Sequence, residues 1–309
     1  MPWDTAPSGL ALLAGLLVVS PVAAADPYAD TVLAYEPGID PWPGYTDPST
    51  ALGPPTRYTG EGFDPMIVSV FNPAWRPDEI VSLGAGGYLV LKFDTPVTDD
   101  PLNPFGIDLL VFGNGHFEDG WPLDGTCTDP AYCFHEGGIV ELSPDGQTWA
   151  LATDVEADGM FPTEGYLDRT DAYDPEPGLV ESNFTRPVDP AITLSDFDGL
   201  PYEQVLELYR GSGGGAGIDL APLGLTEISF VRISNPADSD QTPEIDAVAD
   251  VSPRLPGDAN LDGIVNIDDV FEVLARWGPA RPDGWDAEFT GDGVVNIDDL
   301  FIVLANWSL

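Results

Sequence analysis

Residues 88–95, YLVLKFDT, decide the fold class of this 309-residue chain. Successive side chains of an extended strand point to opposite faces, so Leu89, Leu91 and Phe93 share one face. The other face includes Lys92, the only lysine of the chain. This alternation predicts a β-strand with one buried face.

Seven further stretches of β-branched or alternating character lie between turn signals. They are MIVSVF (66–71), EIVSLG (79–84), IDLLVFGN (107–114), GIVELSPDG (138–146), QTWALAT (147–153), EISFVRISN (227–235) and EIDAVADV (244–251). SPDGQTW predicts a hairpin turn, and YEQVLELYR at 202–210 is the convincing helix of this region. Residues 26–252 are therefore predicted to be mainly β, an antiparallel β-sandwich of the jelly-roll type.

The charge balance excludes two classes of partner. The chain has 53 acidic and 10 basic side chains, for a formal net charge of −43. Binding to nucleic acid or to anionic lipid needs clustered Lys and Arg. We therefore expect neither as a partner, and a hydrophobic share of 43% is typical of a folded protein.

The amino terminus has the pattern of a signal peptide. Residues 9–25, GLALLAGLLVVSPVAAA, are apolar and end in small residues, with Ala23 and Ala25 at the positions of a cleavage site. The preceding segment carries Asp4 and no basic residue, so the true start codon stays open. Residues 1–25 are predicted to be removed, which leaves a secreted protein, extracellular or at the cell surface, without membrane contact. An uncleaved anchor or a buried core helix is the alternative.

Two cysteines fit an exported chain. Cys127 and Cys133 lie six positions apart in GTCTDPAYCFHEGG. One disulfide between them would restrain a long loop, and two unpaired thiols are the alternative.

A segment near the carboxyl terminus repeats with an offset of 30, from DGIVNIDDVFEVLARWG at Asp262 to DGVVNIDDLFIVLANWS at Asp292. Oxygen-bearing residues recur at the spacing of a calcium-binding loop. Ca²⁺ prefers six to eight oxygen ligands, so this pattern predicts a Ca²⁺ site in each copy. The predicted ligands are Asp258, Asn260, Asp262, Ile264 by its carbonyl, Asn266 and Asp269, then Glu288, Thr290, Asp292, Val294 by its carbonyl, Asn296 and Asp299. Glu288 and Thr290 depart from the preferred types, so the second Ca²⁺ site is predicted to be weaker.

One helix follows each loop, with apolar residues at spacings of three, four and seven. These residues are Val270, Phe271, Val273, Leu274 and Trp277, then Leu300, Phe301, Val303, Leu304 and Trp307. The pattern predicts that the two helices pack on each other. Proline-rich sequence precedes the first loop, and residues 253–257 are predicted to be a linker.

GDANLDGIVNIDDVFEVLARWG and FTGDGVVNIDDLFIVLANW resemble the duplicated calcium-binding segments of type I dockerin modules, over about residues 256–309. The resemblance implies a module at residues 258–309 that holds two Ca²⁺ ions and docks onto a cohesin-like domain, as in assemblies that process polysaccharides. Loop positions ten and eleven usually carry small hydroxyl residues that face the cohesin. Here they are Ile267 and Asp268, then Ile297 and Asp298.

The β region resembles a group of secreted bacterial surface proteins whose function is not established. The resemblance is carried by GGYLVLKFDTPV, DLLVFGNG, VELSPDGQTW, GSGGGAGIDLA, FVRISN and EIDAVADV. The closing strands FVRIS and EIDAV are also similar to discoidin-like or galactose-binding jelly rolls. These motifs are mostly strand and turn chemistry, so they imply a fold more than a function.

Two polar groups are candidate sites in the β region. His116 and His135 lie in the connection 114–137, where they can bind a transition metal or act as a general base, or remain two exposed loop histidines. The second group, Asp238, Asp240, Glu244 and Asp246, is a candidate structural Ca²⁺ site, or simply part of an acidic surface. GSGGGAG at 211–217 lacks the lysine of a phosphate loop and is interpreted as a flexible helix terminator.

Aromatic residues in loops suggest a sugar-binding surface. Trp42, Tyr45, Trp75, Phe117 and Trp121 lie in Pro/Gly-rich stretches. A ring face can stack on a sugar, and aromatic lids over the ends of a sandwich are the alternative.

The sequence favours a non-catalytic protein of adhesion or carbohydrate binding, attached by a dockerin-like module to an extracellular assembly. A secreted glycoside hydrolase or polysaccharide lyase is the first alternative, with residues 26–252 as the catalytic domain. A purely structural surface protein with an acidic face is the second.

Overall fold

The structure, a computed structural model, describes residues 26–260, 263–280, 287–290 and 292–308. The described chain is mainly β, with three α-helices. Its strands are β1 (Thr31–Glu36), β2 (Tyr58–Thr59), β3 (Met66–Ile67), β4 (Val81–Ser82), β5 (Tyr88–Thr98), β6 (Leu109–Gly113), β7 (His116–Phe117), β8 (Cys133–Phe134), β9 (Gly137–Ser143), β10 (Ala150–Asp158), β11 (Ala216–Ile218), β12 (Glu227–Ser234), β13 (Glu244–Asp250), β14 (Gly278–Pro279) and β15 (Val294–Val295). The helices are α1 (Tyr202–Tyr209), α2 (Ile267–Ala275) and α3 (Ile297–Ala305). The predicted signal peptide, residues 1–25, lies outside the described residues.

Two antiparallel sheets contain the longer strands. The five-stranded sheet has the order β1-β5-β12-β9-β10, and the four-stranded sheet has the order β11-β6-β13-β4. The predicted hairpin turn SPDGQTW joins β9 and β10, which pair antiparallel. Three further sheets have two strands each.

The principal core contains side chains of both large sheets. Leu89, Leu91 and Phe93 of β5 are buried, as their alternation predicts, and they share this core with Val111 of β6 and Val248 of β13. Burial of one face of each sheet supplies the main favourable free energy of folding.

Two predicted strands are much shorter than their sequence patterns. MIVSVF forms only β3, because the chain turns at Ser69–Asn72, where Ser69 N donates to Asn72 O at 2.9 Å. EIVSLG forms only β4, beside β13. In both segments apolar residues are buried without continuing a sheet ladder.

A second core surrounds α1, which begins at the predicted position. Phe117, Phe197 and Tyr209 pack there with Cys127 and Cys133. The predicted disulfide is not formed: both cysteines are free and buried. Each thiol occupies a place in the apolar cluster, and burial raises the pKa of each to about 12, which suppresses the thiolate that oxidation requires.

The glycine-rich segment 211–217 is tightly packed. Gly214 has φ of +83°, and a Cβ at this position would lie 2.1 Å from the carbonyl oxygen of Pro162. The segment leads directly into β11, which pairs with β6. Close packing against the neighbouring backbone explains the glycines here.

The predicted linker at residues 253–257 contacts the parts of the chain on both sides. Arg254 N donates to Leu102 O at 3.0 Å, and its guanidinium donates to Glu288 O at 2.7 Å. The same guanidinium lies 4.4 Å from the ring centroid of Phe289. In the described parts of the chain, no helix combines the length and apolar character needed to cross a bilayer.

Candidate functional site

An aromatic pocket forms where two loops meet the sheets. It has a volume of about 340 Å³. Its lining residues are Trp42, Tyr45, Trp75, Ile80, Asn114, Phe134, Glu136 and Glu244. Three of the five loop aromatics named from the sequence are thus brought together, and Phe134 is added to them.

Hydrogen bonds fix the two aromatic loops. The Tyr45 hydroxyl donates to Trp75 O at 2.6 Å, and Tyr45 N donates to Trp42 O at 3.1 Å. Trp42 N donates to the Ser82 hydroxyl of β4 at 3.2 Å. Trp42 remains 54% exposed, so its ring is available to a ligand.

The other two loop aromatics lie elsewhere. Phe117 is buried in the second core, with its ring 4.6 Å from that of Phe197. Trp121 is 91% exposed and does not line the aromatic pocket. Phe117 is therefore a core residue, contrary to its assignment to a sugar-binding surface.

Three carboxylates meet beside this pocket, and two of them, Glu136 and Glu244, line it. Oxygen atoms of Glu136, Asp158 and Glu244 lie within 4.8 Å of one another. Asp158 and Glu244 are buried, whereas Glu136 is half-buried. We call these three residues the acidic floor.

Antiparallel pairing explains this convergence, because the end of one strand lies beside the start of its partner. Asp158 ends β10 and pairs with Gly137, directly after Glu136. Glu244 starts β13, whose next residue pairs with Gly113 at the end of β6. Strand ends of both large sheets therefore meet at the acidic floor.

The FGNG run at the end of β6 makes room for Asp158. A Cβ at Gly113 would lie 2.4 Å from Asp158 Oδ1, so a larger residue would displace that carboxylate. Gly115 N donates to the same oxygen at 2.8 Å. Asn114 lies between the two glycines and lines the pocket.

Burial perturbs the protonation of the acidic floor. Burial, with a smaller contribution from the nearby Glu136, raises the pKa of Asp158 to about 7. Burial also raises the pKa of Glu244 well above its usual range, and Glu136 again contributes. Neighbouring carboxylates in a low-dielectric site disfavour one another's charge.

The acidic cluster predicted from the sequence is not assembled. Asp238 and Asp240 are exposed, and only Glu244 of the four residues belongs to the acidic floor. Asp246 is buried and accepts hydrogen bonds from Thr56 N at 2.8 Å and from the Thr56 hydroxyl at 3.0 Å. The sequence reasoning missed Asp158 because it lies far away along the chain.

The two histidines have separate environments. The His116 ring packs on Phe134 at 5.2 Å, and burial lowers the pKa of His116. His135 Nδ1 lies 2.9 Å from Glu156 Oε2, beside a second cavity of about 570 Å³. Among the described residues, neither histidine belongs to a group of ligands close enough to share a metal ion.

The two carboxyl-terminal loops share one hydrogen-bond pattern. Asp269 Oδ1 accepts from Ala259 N at 2.7 Å, and its Oδ2 accepts from Asn266 N at 2.7 Å. In the second loop, Asp299 Oδ1 accepts from Phe289 N at 2.7 Å, and its Oδ2 accepts from Asn296 N. The 30-residue repeat is thus a repeat of atomic contacts as well as of sequence.

Each helix begins with the same capping box. The Asn266 side chain accepts from Asp268 N, and Asp269 accepts from Asn266 N. Asn296, Asp298 and Asp299 repeat the arrangement at α3. Asp269 and Asp299 are both fully buried, so these caps are shielded from water.

Oxygen atoms of the second loop converge on one donor. The Asn296 amide nitrogen donates to Asp292 Oδ2 at 3.2 Å and to Val294 O at 2.9 Å. Glu288 Oε1 accepts from Thr290 N at 2.8 Å. Predicted ligands at loop positions five and seven therefore lie around a single point.

The first loop is closed in a related way. Asp258 is buried, and its Oδ2 accepts from Gly263 N at 2.9 Å. Ile264 is exposed, and Asn260 N donates to Asp269 Oδ1 at 3.1 Å. Asp262, the ligand predicted at position five, lies outside the described residues.

The two helices contact each other, as predicted, but only part of each predicted stripe is buried. Val273 and Val303 are buried in a small core with Val265 and Val295, and Val270 and Leu300 pack against it. The remaining predicted stripe residues are exposed: Phe271, Leu274, Trp277, Phe301, Leu304 and Trp307. Ile267 and Ile297 are exposed as well. Each helix is therefore apolar on two sides, and one side faces solvent.

Comparison with models of known protein families and with curated proteins found no match to this chain.

Proposed function

We propose that this chain is a secreted, non-catalytic β-sandwich protein that binds carbohydrate. In this proposal a calcium-dependent, dockerin-like module at its carboxyl end anchors it to a cohesin-like domain of an extracellular assembly. The exposed apolar sides of the two carboxyl-terminal helices carry the proposal.

The sandwich arrangement is supported by the shared core. Two antiparallel sheets contribute buried side chains to one cluster, which is what sheets packed face to face require. The order of the strands in each sheet, with neighbours distant in sequence, is compatible with a jelly roll.

The loop residues fit Ca²⁺ by their chemistry. In the first loop Asp258, Asn260 and Asn266 offer oxygen ligands, which hard cations prefer. Asp269 closes the loop around them, because both of its oxygens accept backbone hydrogen bonds. In the second loop Asp292 Oδ2 and Val294 O already converge on the Asn296 amide. Bound Ca²⁺ supplies positive charge that neutralises the repulsion among the loop carboxylates.

The exposed helix sides provide the docking surface. Phe271, Leu274, Phe301 and Leu304 are each more than half exposed. Several large apolar residues exposed on two neighbouring helices are typical of protein interaction sites. Ile267 and Ile297, at the loop positions that usually face a cohesin, extend the same surface, so we propose a partner with an apolar docking face.

Capture by a recombinant type I cohesin domain tests the docking. We expect the protein to bind the cohesin in Ca²⁺ and not in chelator. We expect the affinity to be at least tenfold lower in the Phe271→Ala/Phe301→Ala double variant. Asp240→Asn is the matched control, because Asp240 is exposed and lies in the β region. Binding that persists in chelator, or in the double variant, would contradict the proposed docking surface.

The aromatic pocket supports carbohydrate binding. Its open cavity places Trp42, Tyr45 and Trp75 around polar side chains, as sites that stack on sugar rings require. Affinity electrophoresis in a panel of polysaccharides tests this with Trp42→Ala. We expect Trp42→Ala to remove the retardation and Trp121→Ala to leave it unchanged. If both variants behave like the parent protein, the pocket does not bind these sugars.

A secreted glycosidase is the second candidate, because of the acidic floor. Burial keeps the pKa of Glu244 high, and a protonated carboxyl beside a sugar-sized cavity is what a general acid needs. A depolymerisation assay separates the candidates. Cleavage that is lost in Glu244→Gln would favour the enzyme over the binding protein.

A further inference from the structure

We propose that Glu136, Asp158 and Glu244 bind a divalent cation, Ca²⁺, beside the aromatic pocket. Their carboxylate oxygens lie within 4.8 Å of one another. Two ligands of Ca²⁺, at about 2.4 Å from the ion, lie at most about 4.8 Å apart, so the three carboxylates are close enough to share one ion. This site is separate from the carboxyl-terminal loops, and the proposal does not require that the pocket bind carbohydrate.

Buried oxygen atoms without hydrogen-bond partners point to the ion. Glu244 is 2% exposed, and no hydrogen bond of normal geometry reaches either of its carboxylate oxygens, although Glu136 and the Ser82 hydroxyl lie nearby. Asp158 is fully buried, and its Oδ2 has none. The buried Oδ1 of Asn114, which lines the same pocket, also has no partner. Buried polar groups are nearly always satisfied in folded proteins, and a cation would satisfy this set.

A second cluster of carboxylates shows that proximity alone does not lead us to propose a cation site. Oxygen atoms of Asp99, Asp108 and Asp219 also lie within 4.8 Å of one another. The buried Asp108, however, accepts from the Asn103 side chain at 2.8 Å and from Leu220 N at 2.9 Å. Its oxygens are satisfied by the protein, so we propose no ion there.

The backbone around the acidic floor is shaped for this group. Gly113 leaves the space that Asp158 fills, and Gly115 N holds Asp158 Oδ1 in place. The other oxygen, Oδ2, is left without a donor. The fold therefore orients one oxygen of Asp158 and leaves the second for a ligand.

The ligand chemistry selects Ca²⁺. All three carboxylates and the Asn114 amide offer oxygen, whereas zinc, copper and nickel favour nitrogen and sulfur. Mg²⁺ usually retains several waters, which suits a buried group less well than Ca²⁺ does. Glu136 is half-buried and lines the cavity, which gives the ion a route from solvent.

Counting bound Ca²⁺ on the full mature chain tests the proposal. Equilibrium dialysis compares the parent protein with Glu244→Gln and with Glu136→Gln. The second variant is included because Glu136 is only half-buried, so its substitution disturbs folding less. We expect one Ca²⁺ fewer per chain in Glu244→Gln. In Glu136→Gln we expect at least tenfold weaker binding of one Ca²⁺. The exposed Asp240→Asn serves as the matched control and should bind the same number as the parent.

The proposal would be overturned if both glutamine variants keep the circular dichroism spectrum of the parent and bind the same number of Ca²⁺ ions with the same affinity. Loss of polysaccharide cleavage in Glu244→Gln with unchanged Ca²⁺ binding would overturn it too, and would identify a general acid. Cohesin capture by the same variants separates this failure from that of the docking proposal, because the docking surface lies outside the acidic floor.

Discussion

Two regions of this molecule bury carboxylates in opposite ways. In the carboxyl-terminal loops, both oxygens of the fully buried Asp269 accept hydrogen bonds from backbone amides. In the β region, the buried Glu244 receives no backbone hydrogen bond, and no hydrogen bond of normal geometry reaches either of its oxygens. A buried carboxylate with enough hydrogen-bond donors stabilises the local fold, whereas one without donors needs a proton or a cation.

The donors in the loops make the acidic side chain part of the local fold. Asp269 joins the start of the first loop to the start of α2, and Asp299 does the same for the second loop and α3. At the acidic floor the backbone supplies Asp158 with one donor, from Gly115. The remaining oxygens there need a proton or an ion.

The largest expected effect is that of Asp269→Ala. Loss of three backbone hydrogen bonds to one carboxylate should destabilise the first loop and α2 by about 3 kcal/mol. Hydrogen exchange of the α2 amides measures this. Asp268→Ala is the control, because Asp268 is exposed in the same helical turn. Equal exchange in the two variants would show that the carboxylate does not stabilise the loop.

Glu164 is intermediate between Asp269 and Glu244, because it is buried with some hydrogen-bond donors and still has a raised pKa. It is fully buried and accepts from the Tyr202 hydroxyl at 2.8 Å and from Tyr166 N at 3.2 Å, yet burial raises its pKa to about 8. A raised folded-state pKa means that stability is fully present below the unfolded value and falls as pH rises through 8. We expect Glu164→Gln to flatten this fall by about 2 kcal/mol between pH 5 and pH 9.

Urea unfolding at several pH values in chelator measures the effect of Glu164→Gln. Asp246, whose pKa burial also raises, is present in both proteins, so the difference between them isolates Glu164. Parallel pH profiles for the two proteins would mean that the donors of Glu164 fully offset its burial.

Within the loops, Asn296→Asp should strengthen calcium binding. The Asn296 amide nitrogen now donates to Asp292 Oδ2 and Val294 O. A carboxylate at this position would offer an oxygen where the amide offers a donor, and we expect about tenfold tighter binding at the second loop, or about 1.4 kcal/mol. Calorimetric titration with Ca²⁺ measures it, and weaker binding in the variant would contradict the assignment of this loop.

The smallest expected effect is on the exposed helix side. Phe271→Ala should change the free energy of unfolding by less than about 0.5 kcal/mol, because Phe271 is 59% exposed. Val273→Ala, two residues on and buried, should cost about 1 to 3 kcal/mol. Chemical denaturation of the pair checks this. A large loss in Phe271→Ala would mean that its side chain packs within the module.

The sequence patterns predicted those features that depend on neighbouring residues along the chain, such as strand faces and helix positions. The alternation at 88–95 predicted the buried face of β5, and the spacing of YEQVLELYR predicted α1. The 30-residue offset predicted two equivalent loops, and the structure repeats their capping contacts. The double apolar pattern of the two helices was interpreted as one packing stripe, although only Val273 and Val303 are fully buried.

The acidic floor was beyond sequence reasoning for a physical reason. Glu136, Asp158 and Glu244 come from separate strand ends, and only the pairing of β6 with β13 and of β9 with β10 brings those ends together. The nearby carboxylates Asp238 and Asp240 were the wrong partners for Glu244. The one local signal was the pair of glycines in FGNG, which marks a close approach of another group.

Calcium titration of the full mature chain beside the Asp258→Asn/Asp292→Asn double variant tests the proposed module most directly. Isothermal calorimetry should show that the double variant loses the heat of the two carboxyl-terminal sites and no longer binds cohesin, with the overall β structure retained. A titration curve and a cohesin affinity that coincide with those of the parent protein would contradict the calcium-dependent docking.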